Sequence, residues 1–230
     1  MEDDKRIGTL KKNRIKAVIN MNLAEQFGDM DIYLFDQLLK GRVTKEMQIL
    51  DAGCGSGRNL VYFLRNGYQV YAVDQSAKAI EAVQQMAKQL TSDWSTERAR
   101  VEPIESMSFE NESFDFIISN AVLHFAENEE HFRQMLEELW RVLKPGGILF
   151  MRLASSIGIE DAVQPLGNER YLLPDGSTRF LVNERTMVGM TEKLQGVFLE
   201  PIKTVNVAGQ RCMSTWVIKK NAEAPKAAFL

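Results

Sequence analysis

"ILDAGCGSGRNLVYFL", Ile49 to Leu64, is the stretch on which the reading of this chain turns. A short apolar run ends in an acid, Asp51; glycines follow at alternate positions, Gly53, Gly55 and Gly57; a helical apolar pattern starts behind them. A strand, a glycine loop and a helix in that order bring bare backbone up to a ligand at the end of a sheet. A dinucleotide, a nucleoside and a phosphate can all be held this way. Dinucleotide folds use G-x-G-x-x-G, whose third glycine lets the helix close on the sheet; here that position is Arg58. A ligand without a pyrophosphate relaxes that demand. A nucleoside carrying an amino-acid tail suits G-x-G-x-G behind an acid, with Asp51 serving the tail's ammonium directly or through water. The plain alternatives are a tight turn that binds nothing and an Asp51 that only caps the next helix.

The second fixed point is Asp74, twenty-one residues past Gly53 at the end of "VYAVDQS". A carboxylate there can accept hydrogen bonds from both hydroxyls of a ribose, its role in dinucleotide folds as well. It indicates a ribose without choosing the cofactor, and a solvated acid is the plain alternative.

Working outward, short apolar runs alternate with stretches of helical period, the pattern of strands crossing over through helices into a parallel sheet. Strands are expected at Met47–Asp51, Gln69–Val73, Phe116–Ser119 and Ile148–Leu153, with a weaker one near Arg100–Ile104. Ser76–Leu90 sets Ile80, Val83, Ala87 and Leu90 on one stripe behind a Ser76 N-cap. Asn128–Leu143 sets Phe132, Met135, Leu136, Leu139, Trp140 and Leu143 on another, opens with acids and stops at Pro145-Gly146-Gly147. The last third turns antiparallel, with two strands around Ala208-Gly209-Gln210 and, before them, a hairpin at Pro174-Asp175-Gly176 inserted after Leu153.

Length and composition allow one domain with an elaborated edge. The chain has 230 residues, 45% apolar and 26% charged, with a formal net charge of −3, values ordinary for a globular protein. The acidic balance disfavours a nucleic-acid partner, which usually leaves a basic footprint. Cys54 and Cys212 make neither a disulfide framework nor a metal-ligand spacing, so the cytoplasm is the expected compartment and no metal is expected. No stretch approaches the roughly 18 apolar residues of a membrane span, and the opening "MEDDKRIGTLKKNR" lacks a signal peptide's apolar run. The basic run Lys5, Arg6, Lys11, Lys12, Arg14 and Lys16 reads as a solvated helix face, since no aromatics interleave it for base stacking.

The chain resembles the class I S-adenosylmethionine-dependent methyltransferases. "LDAGCGSG" looks like their first motif, "YAVDQS" their second, "FDFIISNAVLHF" their fourth strand and "LKPGG" the turn before their fifth, in order over Gln48 to Arg152. The stretch through "GRNLVYFLRNGYQVYAVDQS" is further similar to tellurite-resistance-type and related small-molecule methyltransferases, which follow the glycines with Arg-Asn.

The resemblance implies an α/β, Rossmann-like doubly wound sheet of seven strands, the last antiparallel, with the hairpin inserted after the fifth strand. It implies one domain over 1–220, with 1–40 as an N-terminal helical lid, 155–182 as the inserted hairpin covering the substrate, and 221–230 as a disordered tail. It implies S-adenosylmethionine as cofactor, S-adenosylhomocysteine as product and a small-molecule acceptor. The candidate cofactor-binding residues are Asp51, Gly53, Gly55, Gly57, Arg58, Asp74, Gln75, Ile104 and Asn120.

There is one departure. Where the family usually carries an aspartate for the adenine amino group, this chain has Pro103, leaving Glu102, Glu105 or the Ile104 amide for that contact.

No catalytic residue, acceptor or oligomeric state is read from the sequence. His124 is expected to be structural or to line the cleft, and His131 to lie on the surface. Phe27, Tyr33 and Phe35 are either core or lid. Arg152, Arg170, Tyr171, Arg179 and Phe180 fall where loops above the sheet meet substrate. An RNA or protein methyltransferase, a binding module without turnover and a nicotinamide-dependent oxidoreductase are the competing readings.

Overall fold

The computed structural model describes residues 22–222. The basic run between Lys5 and Lys16 lies outside them, as do residues 1–21 of the N-terminal segment and residues 223–230 of the expected tail.

Strand β1 (Gln48–Ala52) is central because both of its faces are apolar. Ile49 and Leu50 have no exposed surface and point to opposite faces, as the two-residue period of a strand requires. The same alternation runs through β2 (Gln69–Asp74), β4 (Phe114–Asn120) and β5 (Leu143–Ser155), so Leu50, Ile117 and Leu149 share one core with Ala52 and Val73. Ile49, Phe116, Ile118 and Phe150 share the other. Helices α5 (Glu129–Val142) and α6 (Glu184–Lys193) cover the first face through Phe132, Leu136, Leu139 and Met187. Helices α2 (Ile32–Leu39), α3 (Val61–Arg65) and α4 (Ala77–Leu90) cover the second through Leu34, Phe63, Ile80 and Val83. Strands buried on both faces need helices on both.

With β3 (Ala99–Val101), β10 (Lys203–Val207) and β11 (Arg211–Lys220), the strand order is β10-β11-β5-β4-β1-β2-β3. β11 runs antiparallel to β5 and to β10, which is the seven-stranded doubly wound sheet with its last strand reversed. The run "GVFLEPIKTVNV", expected as one strand before the Ala208-Gly209-Gln210 turn, is two, and the additional one, β9 (Gly196–Phe198), is the eighth strand of the sheet; β11 is long enough to pair with β10 along one part and with β9 over Ile218–Lys220. Pro201, between β9 and β10, prevents their fusion into one strand.

The insertion after β5 is larger than a hairpin. β7 (Arg170–Leu172) and β8 (Thr178–Phe180) flank the Pro174-Asp175-Gly176 turn, and β6 (Gln164–Gly167) joins them as a third antiparallel strand. Asn168 and Glu169 both take positive φ, which closes the additional turn. Ser155 bridges Val182 at the base, so the insertion leaves and returns at one point of the sheet.

The helix starts follow local chemistry. Ser76 accepts a hydrogen bond from the Ala79 amide, and Asn128 one from the His131 amide at 2.8 Å. Ahead of β1, α1 (Leu23–Phe27) and α2 lie against α3, with Phe27 stacked on Tyr62 at 4.9 Å and edge-on to Phe35. Phe27 and Phe35 are therefore packing residues.

Candidate active site

The glycine loop is bolted to the end of β2. The amides of Gly53 and Cys54 both donate to the Val73 carbonyl, at 2.8 and 3.0 Å. Gly53 holds φ +77°, and a Cβ there would lie 2.5 Å from Val122 Cγ2, so the loop and the segment after β4 touch only because that side chain is missing. Gly57 works on the far side, where a Cβ would meet Met86 Cε at 2.6 Å on α4. The sequence pattern thus holds two different demands: approach to the ligand side at Gly53 and helix closure at Gly57.

Asp74 is fixed by the backbone. Its Oδ2 accepts from the Gly55 amide and its Oδ1 from the Ser76 amide, each at 2.9 Å. Each oxygen keeps further lone-pair capacity for a ligand.

These groups border a cavity of about 480 Å³ at the carboxyl ends of β1, β2 and β4, lined by Gly53, Gly55, Arg58, Asp74, Gln75, Ile104 and Asn120 among others. Asp51 and Gly57 do not line it: Asp51 lies beneath the loop and Gly57 behind it. Glu105, Phe125, His131 and Met135 complete the wall near Ile104. His131 is therefore a cavity residue rather than a surface one, because the first turn of α5 faces the cleft. Its Nδ1 accepts from the Glu127 amide at 3.3 Å, which leaves the proton on Nε2, 3.5 Å from Glu105 Oε2. Glu102 turns away, accepting from the Ser108 amide at 2.8 Å. Of the two acids beside Pro103, only Glu105 faces the cavity.

Asp51 has 1% of its surface exposed and its Oδ2 has no hydrogen-bond partner. Burial pushes its pKa up to about 7, with Asp74 adding to the rise and Arg58 opposing it. It does not cap α3, which begins at Val61 behind Leu60. Asn120 is also buried; its Oδ1 accepts from Arg58 Nη2 at 3.1 Å while its Nδ2 is unpartnered. Next to it Ala121 holds a left-handed φ of 63°, pinned by its amide on the Arg152 carbonyl at 2.7 Å. An orphaned acceptor and an orphaned donor beside an open glycine loop fit the ammonium and carboxylate of an amino-acid tail, and Asp74 fits a ribose.

The profile of the family described as "Methyltransferase domain" matches residues 50–151. That stretch, which holds the glycine loop and Asp74, is thus similar to a methyltransferase domain. The uncharacterized methyltransferase YodH of Bacillus subtilis is 32% identical over 127 residues, 55% of this chain and 48% of that protein. The tRNA 5-carboxymethoxyuridine methyltransferase of Escherichia coli is 27% identical over 137 residues, 60% of this chain and 51% of that one. The chain spans about half the length of these curated relatives. Among solved structures, the 1,6-didemethyltoxoflavin-N1-methyltransferase of Burkholderia thailandensis, with bound 1,6-didemethyltoxoflavin and S-adenosylhomocysteine, superposes with a TM-score of 0.63 over 95% of this chain and 90% of that one at 17% identity.

The cavity has a charged cluster at its Asn120 end that the motifs do not announce. Asp31, the N-cap of α2, places Oδ2 3.1 Å from Arg152 Nη1 and 3.9 Å from Arg58 Nη2. Asn59 Oδ1 accepts from the Asp31 amide at 3.1 Å, and Tyr33 lies under the Arg152 guanidinium at 5.3 Å. Asp31 precedes Gly53 by twenty-two residues and belongs to no motif, so only the docking of α2 could reveal it.

His124 is structural. Its Nδ1 accepts from the Ala154 amide at 3.1 Å, and burial, aided by Arg179, lowers its pKa to about 4. A ring held neutral with that nitrogen engaged is a poor general base at neutral pH. Phe180 is core, stacked on Phe132 at 4.9 Å, whereas Arg179 covers the exposed ring of Phe125 at the cavity rim. Cys54 is packed, its thiol pKa raised by burial and the nearby acids. Among the described residues no helix is long and apolar enough to cross a membrane, and no cluster of three or more His, Cys, Asp or Glu is placed to hold a metal.

Proposed function

We propose that the protein transfers a methyl group from S-adenosylmethionine to a small-molecule acceptor and releases S-adenosylhomocysteine. The observation that carries this reading is Asp74, with both oxygens already oriented by backbone amides at the lip of the cavity. In this reading Asp74 and Gln75 take the ribose, and Gly53 and Gly55 admit the backbone close to the ligand. Asp51 balances the ammonium; Arg58 and Asn120 hold the methionine carboxylate. The Ile104 amide and Glu105, oriented by His131, take the adenine edge in place of the acid missing at Pro103. Gly57 supports the loop through α4.

When bound, the cofactor supplies a methyl group already activated by its sulfonium. The protein's part is then to align and to exclude water, and orientation alone is worth up to about 7–11 kcal/mol. No side chain at the Asn120 end is assigned as a base, and His124 is unsuited to be one. The described part of the N-terminal segment, 22–40, and residues 155–182 are assigned to covering the acceptor, and the cytoplasm to the protein's location, consistent with free Cys54 and Cys212.

Calorimetric titration with S-adenosylmethionine and S-adenosylhomocysteine tests the reading. Saturable binding is expected, and Asp74→Ala should weaken it by about 100-fold, the size of losing two hydrogen bonds to a charged acceptor. A folded protein that binds neither compound sinks the proposal. Because one relative is a tRNA-modifying enzyme by name, labelled methyl transfer should also be run on bulk tRNA. Label in tRNA but not in a metabolite extract would replace the small-molecule acceptor with a nucleic acid, and binding without label in any acceptor would leave a binding module.

A further inference from the structure

Arg152 stands at the end of β5, opposite Asn120 in the register of β4. Its side chain is largely buried, and its guanidinium is held in one orientation by the Tyr33 ring beneath it and by Asp31 against Nη1. Nε is buried without a hydrogen-bond partner, and the ion pair with Asp31 is made by Nη1 alone. A guanidinium presents Nε–H and one Nη–H as a parallel pair along one edge, the pair that matches the two oxygens of a carboxylate. Here the opposite nitrogen is engaged, and Nε is buried without an acceptor beside Asn120, which lines the cavity. Arginine edges buried without acceptors are costly in a fold that gains nothing from them.

The charge balance points the same way. Arg58 and Arg152 share one buried acid, Asp31, and Arg152 is the nearer at 3.1 Å against 3.9 Å. Arg58 is the more exposed and is assigned to the cofactor under the proposed function, on which this inference rests. We propose that the Nε–Nη2 edge of Arg152 anchors a carboxylate carried by the methyl acceptor. A planar, singly charged group suits one guanidinium already partly neutralised by Asp31; a phosphate dianion would bring more charge than the pair can balance. Tyr33 and Asp31 fix the orientation of the guanidinium before the ligand arrives, and a carboxylate reaching Nε displaces the side chains that cover it.

The test follows the arginine Nε–H resonances of the full chain saturated with S-adenosylhomocysteine, with Arg152 identified by the signal lost in Arg152→Lys. Sodium acetate and sodium benzoate are titrated against acetamide and benzamide at ionic strength held constant with chloride. The expected result is a saturable shift of the Arg152 signal with the carboxylates, at least about tenfold tighter than with the amides, and no competition from the carboxylates for S-adenosylhomocysteine. Arg152→Lys, which keeps the charge but not the edge, should abolish the carboxylate response while retaining cofactor affinity. A shift produced by S-adenosylhomocysteine alone would assign the edge to the cofactor's own carboxylate and overturn the proposal. Equal response to carboxylate and amide, or none, would overturn it too. If S-adenosylhomocysteine itself fails to bind, the proposed function falls separately, and the same titration on the free protein still decides whether the edge takes a carboxylate.

Discussion

The two ends of the cavity are built by opposite means. At the Asp74 end, backbone amides of neighbouring residues orient a single carboxylate, and every part comes from the glycine loop and the end of β2. At the Asn120 end, Asp31, Arg58, Asn120 and Arg152 arrive from α2, the loop, β4 and β5, and Asn120 Nδ2 and Arg152 Nε stay buried and unpartnered. The first end spends little desolvation because backbone dipoles need no counter-charge. The second holds charges in a poorly hydrated place, where an unmatched group costs stability until a ligand matches it. Under the proposed function, the comparison assigns selection of the ligand's reacting part to side chains gathered from four segments rather than to loop backbone.

The largest effect should come from breaking what both ends share. Gly53→Ala sets a Cβ against Val122 in a left-handed backbone. It should cost about 3 kcal/mol of stability and abolish S-adenosylhomocysteine binding. Chemical denaturation and calorimetry read both. Adding Val122→Ala should return roughly half of the lost stability by relieving the clash while leaving the φ penalty. Full recovery would show that backbone strain contributes nothing.

Asp51 sharpens the contrast with Asp74. Its folded pKa, raised from 3.8 to about 7, means that the folded state prefers the protonated acid. The stability this gives is whole below the unfolded pKa and is lost as the pH rises through about 7. Asp51→Asn should therefore stabilise the ligand-free protein at pH 8 by about 2–4 kcal/mol and flatten its stability between pH 4 and 7. The same change should weaken S-adenosylhomocysteine about tenfold. For the unmutated protein, affinity should rise with pH toward 7 and level above it, since an ammonium favours the ionised acid. An affinity independent of pH in this range would remove Asp51 from the ammonium.

The smallest effect is expected at the adenine edge. Glu105→Ala should weaken S-adenosylhomocysteine about fivefold but leave S-inosylhomocysteine, which has no 6-amino group, unchanged. Equal losses on both compounds would mean that Glu105 acts only through packing.

Most of the Asp74 end is legible in the sequence, because its physics is local. A strand, three glycines and two acids at fixed distances specify their own geometry, and the central strands announce themselves by continuous apolar runs. The insertion reads as two strands rather than three, since "QPLG" has neither the alternation nor the β-branched residues of a strand and pairs only because Arg170–Leu172 offers an edge. β9 reads as part of β10, since Val197 and Phe198 continue the same β-favouring run and only Pro201 divides it. His131 reads as surface because helical periodicity separates core from solvent but does not say that a helix start faces a cleft.

The sequence by itself determined the sheet's class, the glycine loop and the two acids that flank it, all of which depend on residues within a strand–loop–helix unit. Only the tertiary structure decided which of Glu102 and Glu105 faces the cavity, that Asp31 and Arg152 meet, and that Asp51 is buried enough to hold its proton near neutrality. Those facts depend on distances between segments far apart in the chain and on the water that packing removes around them, and neither quantity is written in local spacing.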